Sequence, residues 1–359
     1  MKKLTLSCMM LLCTTFLYIN VHAQGVTTPV TASPKAIVGQ TIGISNVTIT
    51  YSRPSVKGRK VWGELVPFGY TPIANGNQAP WRAGANENTV IELSDEATIE
   101  GTKVPAGKYG LFFVINADNS AEVILSKDSK AWGHFFYEQK NDQMRAPVKV
   151  REGELTEMLT YNFINSTKNS SELVLRWERK EFPVKIEFAV DEIVMANANA
   201  ELKGIKGFTW QGYSSAAAYA AANKVNLDQA QKWIDQAINI NRSFGTLQVK
   251  SNVLRAVNNS AEAEKVMKEA LTLGNENELN AYGYALLGAG SHDQAIEVFT
   301  LITTKYPGSA NAFDSLGEGY FTKGDNKSAI KYFKKALTLN PPPATKINSE
   351  KYLKQLGAL

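Results

Sequence analysis

The chain has 359 residues, of which 39 are basic and 34 are acidic, for a formal net charge of +5 at pH 7. This length is sufficient for two hydrophobic cores, because single cores stop growing at about 250–300 residues. The basic residues are spread along the chain and form no cluster, so the composition does not indicate a nucleic-acid-binding protein.

The first 23 residues have the features of a secretory leader. Lys2 and Lys3 are positively charged, and residues 4–19 are mostly apolar. Residues 21–23 then end at Ala23, a small residue at the distance from the apolar segment that a signal-peptide cleavage site requires. A membrane-spanning helix is the alternative, but the apolar run of about 16 residues is shorter than the roughly 20 that a bilayer requires. We therefore predict export to the periplasm or to the cell exterior.

Both cysteines, Cys8 and Cys13, lie inside this leader, so its removal leaves 336 of the 359 residues and no cysteine. The mature fold must then be held by packing, although an exported compartment permits disulfides. A lipid anchor on Cys13 is disfavoured by Leu12, which stands where a lipobox has a small residue. No later segment approaches membrane-spanning length, so we predict no transmembrane segment after leader cleavage.

Residues 37–190 show the period of two that is typical of half-buried β-strands. Apolar and hydroxyl side chains alternate over residues 47–51, and the same alternation recurs near the end of this region, where Val184, Ile186 and Phe188 alternate with polar neighbours. The other predicted strands cover residues 89–93, 97–100, 109–115, 121–125, 159–163 and 173–177. Turn residues separate these strands. The pattern predicts a mostly antiparallel β-sandwich or a jelly-roll-like domain.

A set of short motifs accompanies these strands. The motifs are Ser33-Pro34-Lys35-Ala36, Thr50-Tyr51-Ser52-Arg53-Pro54, Lys57-Gly58-Arg59, Trp62-Gly63, Trp81-Arg82-Ala83-Gly84-Ala85-Asn86-Glu87, Pro105-Ala106-Gly107-Lys108-Tyr109-Gly110 and Trp132-Gly133. Together they make roughly residues 31–190 resemble the bacterial domain of unknown function 2911. The resemblance implies no activity, because that family has no established one. The chain departs from the family pattern at residues 72–80, which form a small insertion, and at residues 143–145.

One loop combines side chains that can bind a ligand. Trp81, Arg82, Asn86 and Glu87 lie within seven residues, just before a predicted strand, and loops held by strands commonly carry sites. Arg82 can bind a carboxylate or phosphate through its planar guanidinium, and Trp81 can stack on a sugar or an aromatic ring. His134 is a further candidate for this pocket. The alternative is structural: Arg82 pairs with Glu87, Asn86 adopts a turn conformation, and Trp81 packs on the sandwich edge.

Beyond about residue 200 the pattern becomes helical and repetitive. Phe313, Leu316, Gly317, Tyr320, Ala329, Phe333, Ala336 and Pro341 follow the spacing of a tetratricopeptide repeat, with Phe in place of the usual Trp. Ala230, Ala263, Ala295 and Ala329 mark one position in four copies, 33, 32 and 34 residues apart. Small residues at this position allow paired helices to approach closely. The spacing predicts about four stacked helix pairs.

The concave face of such an array usually holds an extended peptide or a neighbouring domain. By resemblance to tetratricopeptide repeats, the groove-facing positions are Asn252, Arg255, Asn280, Tyr284, Asp314 and Glu318. This surface is polar and mixed in charge, and the alternative is that these side chains are only solvated. A short helix after the three prolines at 341–343 is predicted to cap the array.

These patterns divide the chain into a signal peptide and four further segments. We predict a signal peptide at 1–23, a β-rich domain at 24–195, a linker at 196–210, tetratricopeptide repeats at 211–343 and a capping helix at 344–359. The fold class is therefore a two-domain α+β protein, with an N-terminal antiparallel sandwich and a C-terminal helical solenoid.

The sequence favours an exported binding or scaffold protein whose repeats bind a protein or peptide. The β-domain would dock on that partner or on an envelope glycan. The alternative is an envelope hydrolase or carbohydrate-active enzyme, for which Trp81, Arg82, Glu87 and possibly His134 must converge on one open cleft. Only His134 and His292 remain after leader removal, without any cysteine. We therefore predict no metal site and no cofactor.

Overall fold

The computed structural model describes residues 32–73 and 76–359. The predicted signal peptide lies outside the described residues. Within them, strands come first and helices second, and the change falls at Ala189, between a strand that ends at Phe188 and a helix that begins at Val190. The predicted two-domain α+β fold is confirmed.

Twelve strands are present among the described residues. They are β1 (Lys35–Ile42), β2 (Ser45–Ser52), β3 (Thr71–Pro72), β4 (Gln78–Ala79), β5 (Val90–Leu93), β6 (Ala97–Ile99), β7 (Thr102–Val104), β8 (Gly107–Ile115), β9 (Ser120–Ser126), β10 (Asp142–Lys149), β11 (Arg151–Ile164) and β12 (Ser170–Phe188). All of their pairings are antiparallel.

The strands form two main sheets that enclose one core. The first sheet has the order β1-β2-β5-β8-β9-β10, the second has the order β11-β12-β6-β7, and β3 and β4 make a small separate hairpin. Buried side chains of both sheets, such as Ile49 and Phe113 from the first and Trp177 and Ile186 from the second, belong to one apolar cluster. The domain is therefore a β-sandwich whose inner faces pack on each other.

The longest strand, β12, covers two segments that the period-two pattern separates. Glu178 lies between them with a left-handed backbone (φ 54°), and the pairing of β11 with β12 shifts register around it. Such an irregularity changes which face each side chain points to, so the alternation breaks while the strand continues.

Ten α-helices follow. They are α1 (Val190–Glu201), α2 (Trp210–Asn223), α3 (Leu227–Ile240), α4 (Phe244–Ala256), α5 (Ser260–Leu273), α6 (Glu276–Gly288), α7 (His292–Lys305), α8 (Ala310–Lys323), α9 (Asn326–Leu337) and α10 (Pro343–Gln355). A short 3₁₀ turn at Ile205–Phe208 precedes α2. No helix in the described part of the chain is both long and apolar enough to cross a membrane.

The four marker alanines occupy the same place in four helix pairs. Ala230, Ala263, Ala295 and Ala329 are each the fourth residue of a second helix, in α3, α5, α7 and α9 respectively. Each is fully buried. A larger side chain at any of them would push the paired helices apart, so their spacing reports the stacking of four repeats.

The helical region begins with α1, directly after the last strand. Residues 196–210, predicted as a linker, contain the end of α1 and the 3₁₀ turn, and α1 itself begins at Val190. Ile193 and Val194 of this helix pack on the core of the sandwich, and Gly43 in the β1–β2 turn lies directly against Val190. Helix α1 is thus a packed part of the β-domain surface, which a composition rich in Ala and Asn does not reveal.

Candidate functional site

The loop that carries Trp81 and Arg82 is attached to the first sheet through its backbone. The Trp81 amide donates to the Phe113 carbonyl at 2.9 Å, and the Phe113 amide donates back to the Trp81 carbonyl at 2.9 Å. The Trp81 ring stacks on Trp177 with centroids 5.9 Å apart, and Trp62 meets both rings edge-on. Trp81 is therefore both a packing residue of the sandwich and a partly exposed surface.

A tight turn then fixes the direction of Arg82. Ala83 has a left-handed backbone (φ 51°), which is uncommon for a residue other than glycine. Its carbonyl accepts hydrogen bonds from the hydroxyls of Tyr161 at 2.9 Å and Thr89 at 3.0 Å. Since Tyr161 is buried in the second sheet, this turn is tied to both sheets. The guanidinium of Arg82 is thus positioned by the core.

A second loop places His134 beside Arg82. Gly133 is left-handed (φ 59°), and a β-carbon built on it would lie 2.5 Å from Nη1 of Arg82, so this loop passes directly over the guanidinium. Burial lowers the pKa of Arg82. Burial, and secondarily the charge of Arg82, lowers the pKa of His134 below its usual value. Both causes favour the neutral imidazole of His134.

These loops border an open cavity of about 610 Å³. Of the predicted site residues, Trp81, Arg82, Asn86 and His134 line it, whereas Glu87 does not. Glu87 is exposed, and Arg82 donates to the carbonyl of Asn86 at 2.8 Å instead of pairing with Glu87. Asn86 itself adopts a left-handed backbone (φ 59°) in the turn. The arrangement therefore brings four of the five candidates together.

The carbohydrate-active alternative requires a pair of carboxylates flanking the substrate. Among the described residues that line the cavity, none is Asp or Glu. Outside the lining, the carboxylate of Glu157 accepts from the amide of Lys57 at 2.9 Å and that of Glu178 from the indole of Trp62 at 3.2 Å. The described lining residues therefore do not include the carboxylate pair that this mechanism uses.

Sequence reasoning did not select Lys57, Arg59 or Trp177 for this site, although all three line the cavity. Lys57 and Arg59 form a basic pair on either side of Gly58, and this pair is the sequence feature that could have indicated a place in the site. For Trp177, the sequence predicts only a place in the strand at residues 173–177. Its approach to Trp81 depends on the packing of the two sheets, which no local pattern encodes.

The predicted groove positions of the repeats differ in exposure. Asn252 and Arg255 on α4 are exposed and bond only to each other, at 3.4 Å, among the described residues. Tyr284 on α6 donates to the hydroxyl of Ser315 at 3.2 Å, and Oδ1 of Asn280 is buried without a described partner. The first pair is thus available to a ligand, while the second pair is largely within the array.

The last two groove positions are occupied by the chain itself. Asp314 and Glu318 on α8 both accept hydrogen bonds from the amide of Asn348 on α10, and Asp314 also accepts from Ser349. The Tyr352 ring stacks on Phe333 with centroids 5.0 Å apart. Helix α10 therefore caps the array by binding across its final groove positions.

A further open cavity of about 630 Å³ lies between α5, α6 and α7. Its walls include Met267, Leu271, Leu286 and Leu301, and Arg255 is also among its lining residues.

No group of three or more His, Cys, Asp or Glu side chains that could hold a metal occurs in the described ranges.

Comparison with known proteins finds one family model in each half of the chain. Residues 33–186 match the family described as "Protein of unknown function (DUF2911)". This DUF2911 region is the β-sandwich, and residues 310–343, which contain α8 and α9, match a tetratricopeptide repeat model. Both predicted resemblances are confirmed, in the predicted order. No curated protein matches the chain.

Several solved structures share the helical repeats. One is YrrB, titled a TPR protein with an unusual peptide-binding site, at 20% identity over 45% of this chain and 83% of that one (TM-score 0.28). Others are pilF of Pseudomonas aeruginosa (21%, 42% and 70%, TM-score 0.27) and MamA of Desulfovibrio magneticus RS-1 (16%, 43% and 88%, TM-score 0.28). Likenesses of this strength say nothing about what the present chain binds.

Proposed function

We propose that this protein is an exported binding or scaffold protein whose tetratricopeptide repeats hold a protein or peptide partner. Export is supported by the charged, apolar and small-residue segments of the first 23 residues.

The observation that carries the proposal is the way α10 sits on the array. Positions of α8 that correspond to groove positions in the other repeats bind a helix through carboxylate–amide and carboxylate–hydroxyl hydrogen bonds. On α4, Asn252 occupies the place that Glu318 has on α8, because each is the ninth residue of its helix. Asn252 and the neighbouring Arg255 are exposed and have no such helix on them among the described residues. A surface that already binds one helix in the final repeat is suited to bind a segment of a partner in an earlier one.

A charge reversal in the full-length chain tests the repeat-mediated interaction. We expect Arg255→Glu, combined with Asn252→Ala, to remove specific partners from the set cross-linked to the protein in envelope extract, measured by quantitative mass spectrometry. The matched control is Lys265→Glu, which reverses an exposed charge on a second helix, where Lys265 pairs with Glu262 at 3.5 Å. Identical partner sets for the wild type and the groove variant would refute the proposal.

Export has its own test. In fractionated cells the protein is expected in the periplasm or medium, with an amino terminus that begins at Gln24. Retention of the intact leader on a cytoplasmic protein would remove this part of the proposal without affecting the part that concerns the repeats.

A further inference from the structure

The cavity of the DUF2911 sandwich is lined by cations without matching carboxylates. Lys57, Arg59 and Arg82 all border it, and no Asp or Glu is among its described lining residues. None of the three forms an ion pair within the described part of the chain, and the remaining residues, 1–31, 74 and 75, contain no Asp or Glu. The described side chains that line the cavity therefore carry net positive charge.

Arg82 differs from the other two cations of the cavity because it is partly buried, whereas Lys57 and Arg59 are exposed. Its guanidinium is half-buried, donates one hydrogen bond to the Asn86 carbonyl at 2.8 Å and lies 5.5 Å from the centroid of the Phe135 ring. Arginine has five N–H donors, and a charge withdrawn from water is unfavourable unless it is paired. The remaining donors can be satisfied by an anion that enters the cavity.

The other wall of the cavity is aromatic. Trp81, partly exposed, lies flat on Trp177, with 13° between the ring planes. Trp177 is only 1% exposed, and its indole nitrogen has no hydrogen-bond partner among the described residues. The same holds for Nδ1 of His134. Two buried polar atoms of cavity residues thus have no described partner, although such atoms are usually bonded.

We propose that this cavity binds a small organic anion that contains a ring. Its carboxylate or phosphate pairs with Arg82, with Lys57 and Arg59 adding attraction, and its ring packs against Trp81. The volume of about 610 Å³ falls within the range of roughly 300–1,000 Å³ that is typical of small-molecule sites. The site is independent of the repeats and of their partner.

The chemistry admits three sources of such a ligand, namely an acidic sugar, a sugar phosphate and an aromatic acid. Calorimetric titration of the full-length protein with galacturonate, glucose 6-phosphate and phenylacetate distinguishes them. Galactose, glucose and phenylacetamide serve as the neutral counterparts, and inorganic phosphate as the anion without a ring. We expect at least one ring-bearing anion to bind on the order of 10-fold or more tightly than both its neutral counterpart and phosphate.

Substitution in the cavity provides the second measurement. Arg82→Gln is expected to weaken binding of that anion by on the order of 10-fold or more, and Lys57→Gln by a smaller factor because Lys57 is exposed. Lys57→Gln keeps the test valid if Arg82→Gln fails to fold, since the Lys57 side chain makes no hydrogen bond within the described residues. Lys60→Gln is the matched control, because Lys60 pairs with Glu64 at 3.1 Å and does not line the cavity.

The outcomes separate cleanly. Preference for a charged, ring-bearing probe that is lost in Arg82→Gln but kept in Lys60→Gln supports the site and identifies the source. The proposal is overturned if no probe binds at millimolar concentration, if neutral probes bind as tightly as charged ones, or if folded Arg82→Gln and Lys57→Gln both bind like the wild type.

Discussion

Arg82 and His134 come from different loops of the sandwich and are brought together by left-handed turns at Ala83 and Gly133. Because burial and the neighbouring guanidinium both favour neutral imidazole, folding depresses the pKa of His134. A group with a depressed pKa contributes stability above its unfolded-state pKa of about 6.5, and that contribution is lost as the pH falls through the folded-state value. Lowering the pH through this range should therefore reduce the stability of the folded sandwich.

At this scale we predict that Arg82→Gln raises the pKa of His134. The increase should be partial, because burial is the larger cause and remains after the substitution. The measurement is a proton NMR titration of the imidazole signal, assigned by its disappearance in His134→Gln. Lys60→Gln should leave the titration unchanged. An unchanged or lower pKa in Arg82→Gln would show that the guanidinium does not act on the ring.

At the scale of elements, the repeats depend on small residues at helix contacts. Gly317 of α8 faces Phe333 of α9, and a β-carbon built on Gly317 would lie 2.7 Å from that buried ring. Gly283 of α6 faces Phe299 of α7 in the same manner, at 2.4 Å. The same glycine–phenylalanine contact therefore occurs in both repeats. Because glycine has no side chain, the phenylalanine ring can pack directly against the backbone of the facing helix.

We expect Gly317→Ala to destabilise the protein by about 1–2 kcal/mol. Overpacking a dense contact costs about 1–3 kcal/mol, and the gain in helix propensity returns only about 0.5–1 kcal/mol. Chemical denaturation followed by circular dichroism measures the difference. Gly245→Ala, in α4, is the control, since nothing lies within 4 Å of its β-carbon position, and it should not destabilise. Equal effects of the two substitutions would contradict the packing explanation.

At the scale of the whole molecule, a polar cluster joins the sandwich to the helices. Nζ of Lys168, in the turn between β11 and β12, donates to Asp191 of α1 at 2.9 Å and to Asn223 of α2 at 2.8 Å. Tyr219 of α2 donates to the same Asp191 carboxylate at 2.6 Å. These bonds, from Tyr219 first and Lys168 second, hold the pKa of Asp191 below its usual range.

We predict that Asp191→Ala loosens the junction between the two domains. Amide hydrogen exchange in α1 and α2 should become severalfold faster at pH 7, since two hydrogen bonds from Lys168, at 2.9 and 3.1 Å, and one from Tyr219 lose their acceptor. A lowered carboxyl pKa contributes stability above the ordinary Asp value and loses it as the pH falls through the folded-state value. The difference in exchange rate between variant and wild type should therefore become smaller in acid.

The control is Asp293→Ala, which breaks an exposed pair with Lys323 inside the repeats. It should leave exchange in α1 unchanged. Equal protection of α1 and α2 in Asp191→Ala and wild type would refute the coupling.

The sequence by itself determined the features that are local or periodic. Ala230, Ala263, Ala295 and Ala329 recur at a near-constant interval because each repeat must pack its helices at the same place, so the repeat count could be read from spacing alone. The strands were predictable where one face is buried, because burial on one face imposes a period of two. At Glu178 of β12 the alternation is interrupted, so the period of two predicts two strands where the structure has one.

Only the tertiary structure decided which side chains share the candidate site. Trp81, Arg82 and His134 were chosen for their chemistry, but their meeting depends on two loops that lie over 50 residues apart. Glu87 is close to Arg82 in sequence, yet the left-handed turn at Asn86 precedes it and it does not line the cavity. Trp177 reaches the cavity from the other sheet. Which side chains come together depends on how the two sheets pack and on where the turns direct the chain. Neither can be predicted from a local pattern of neighbouring residues.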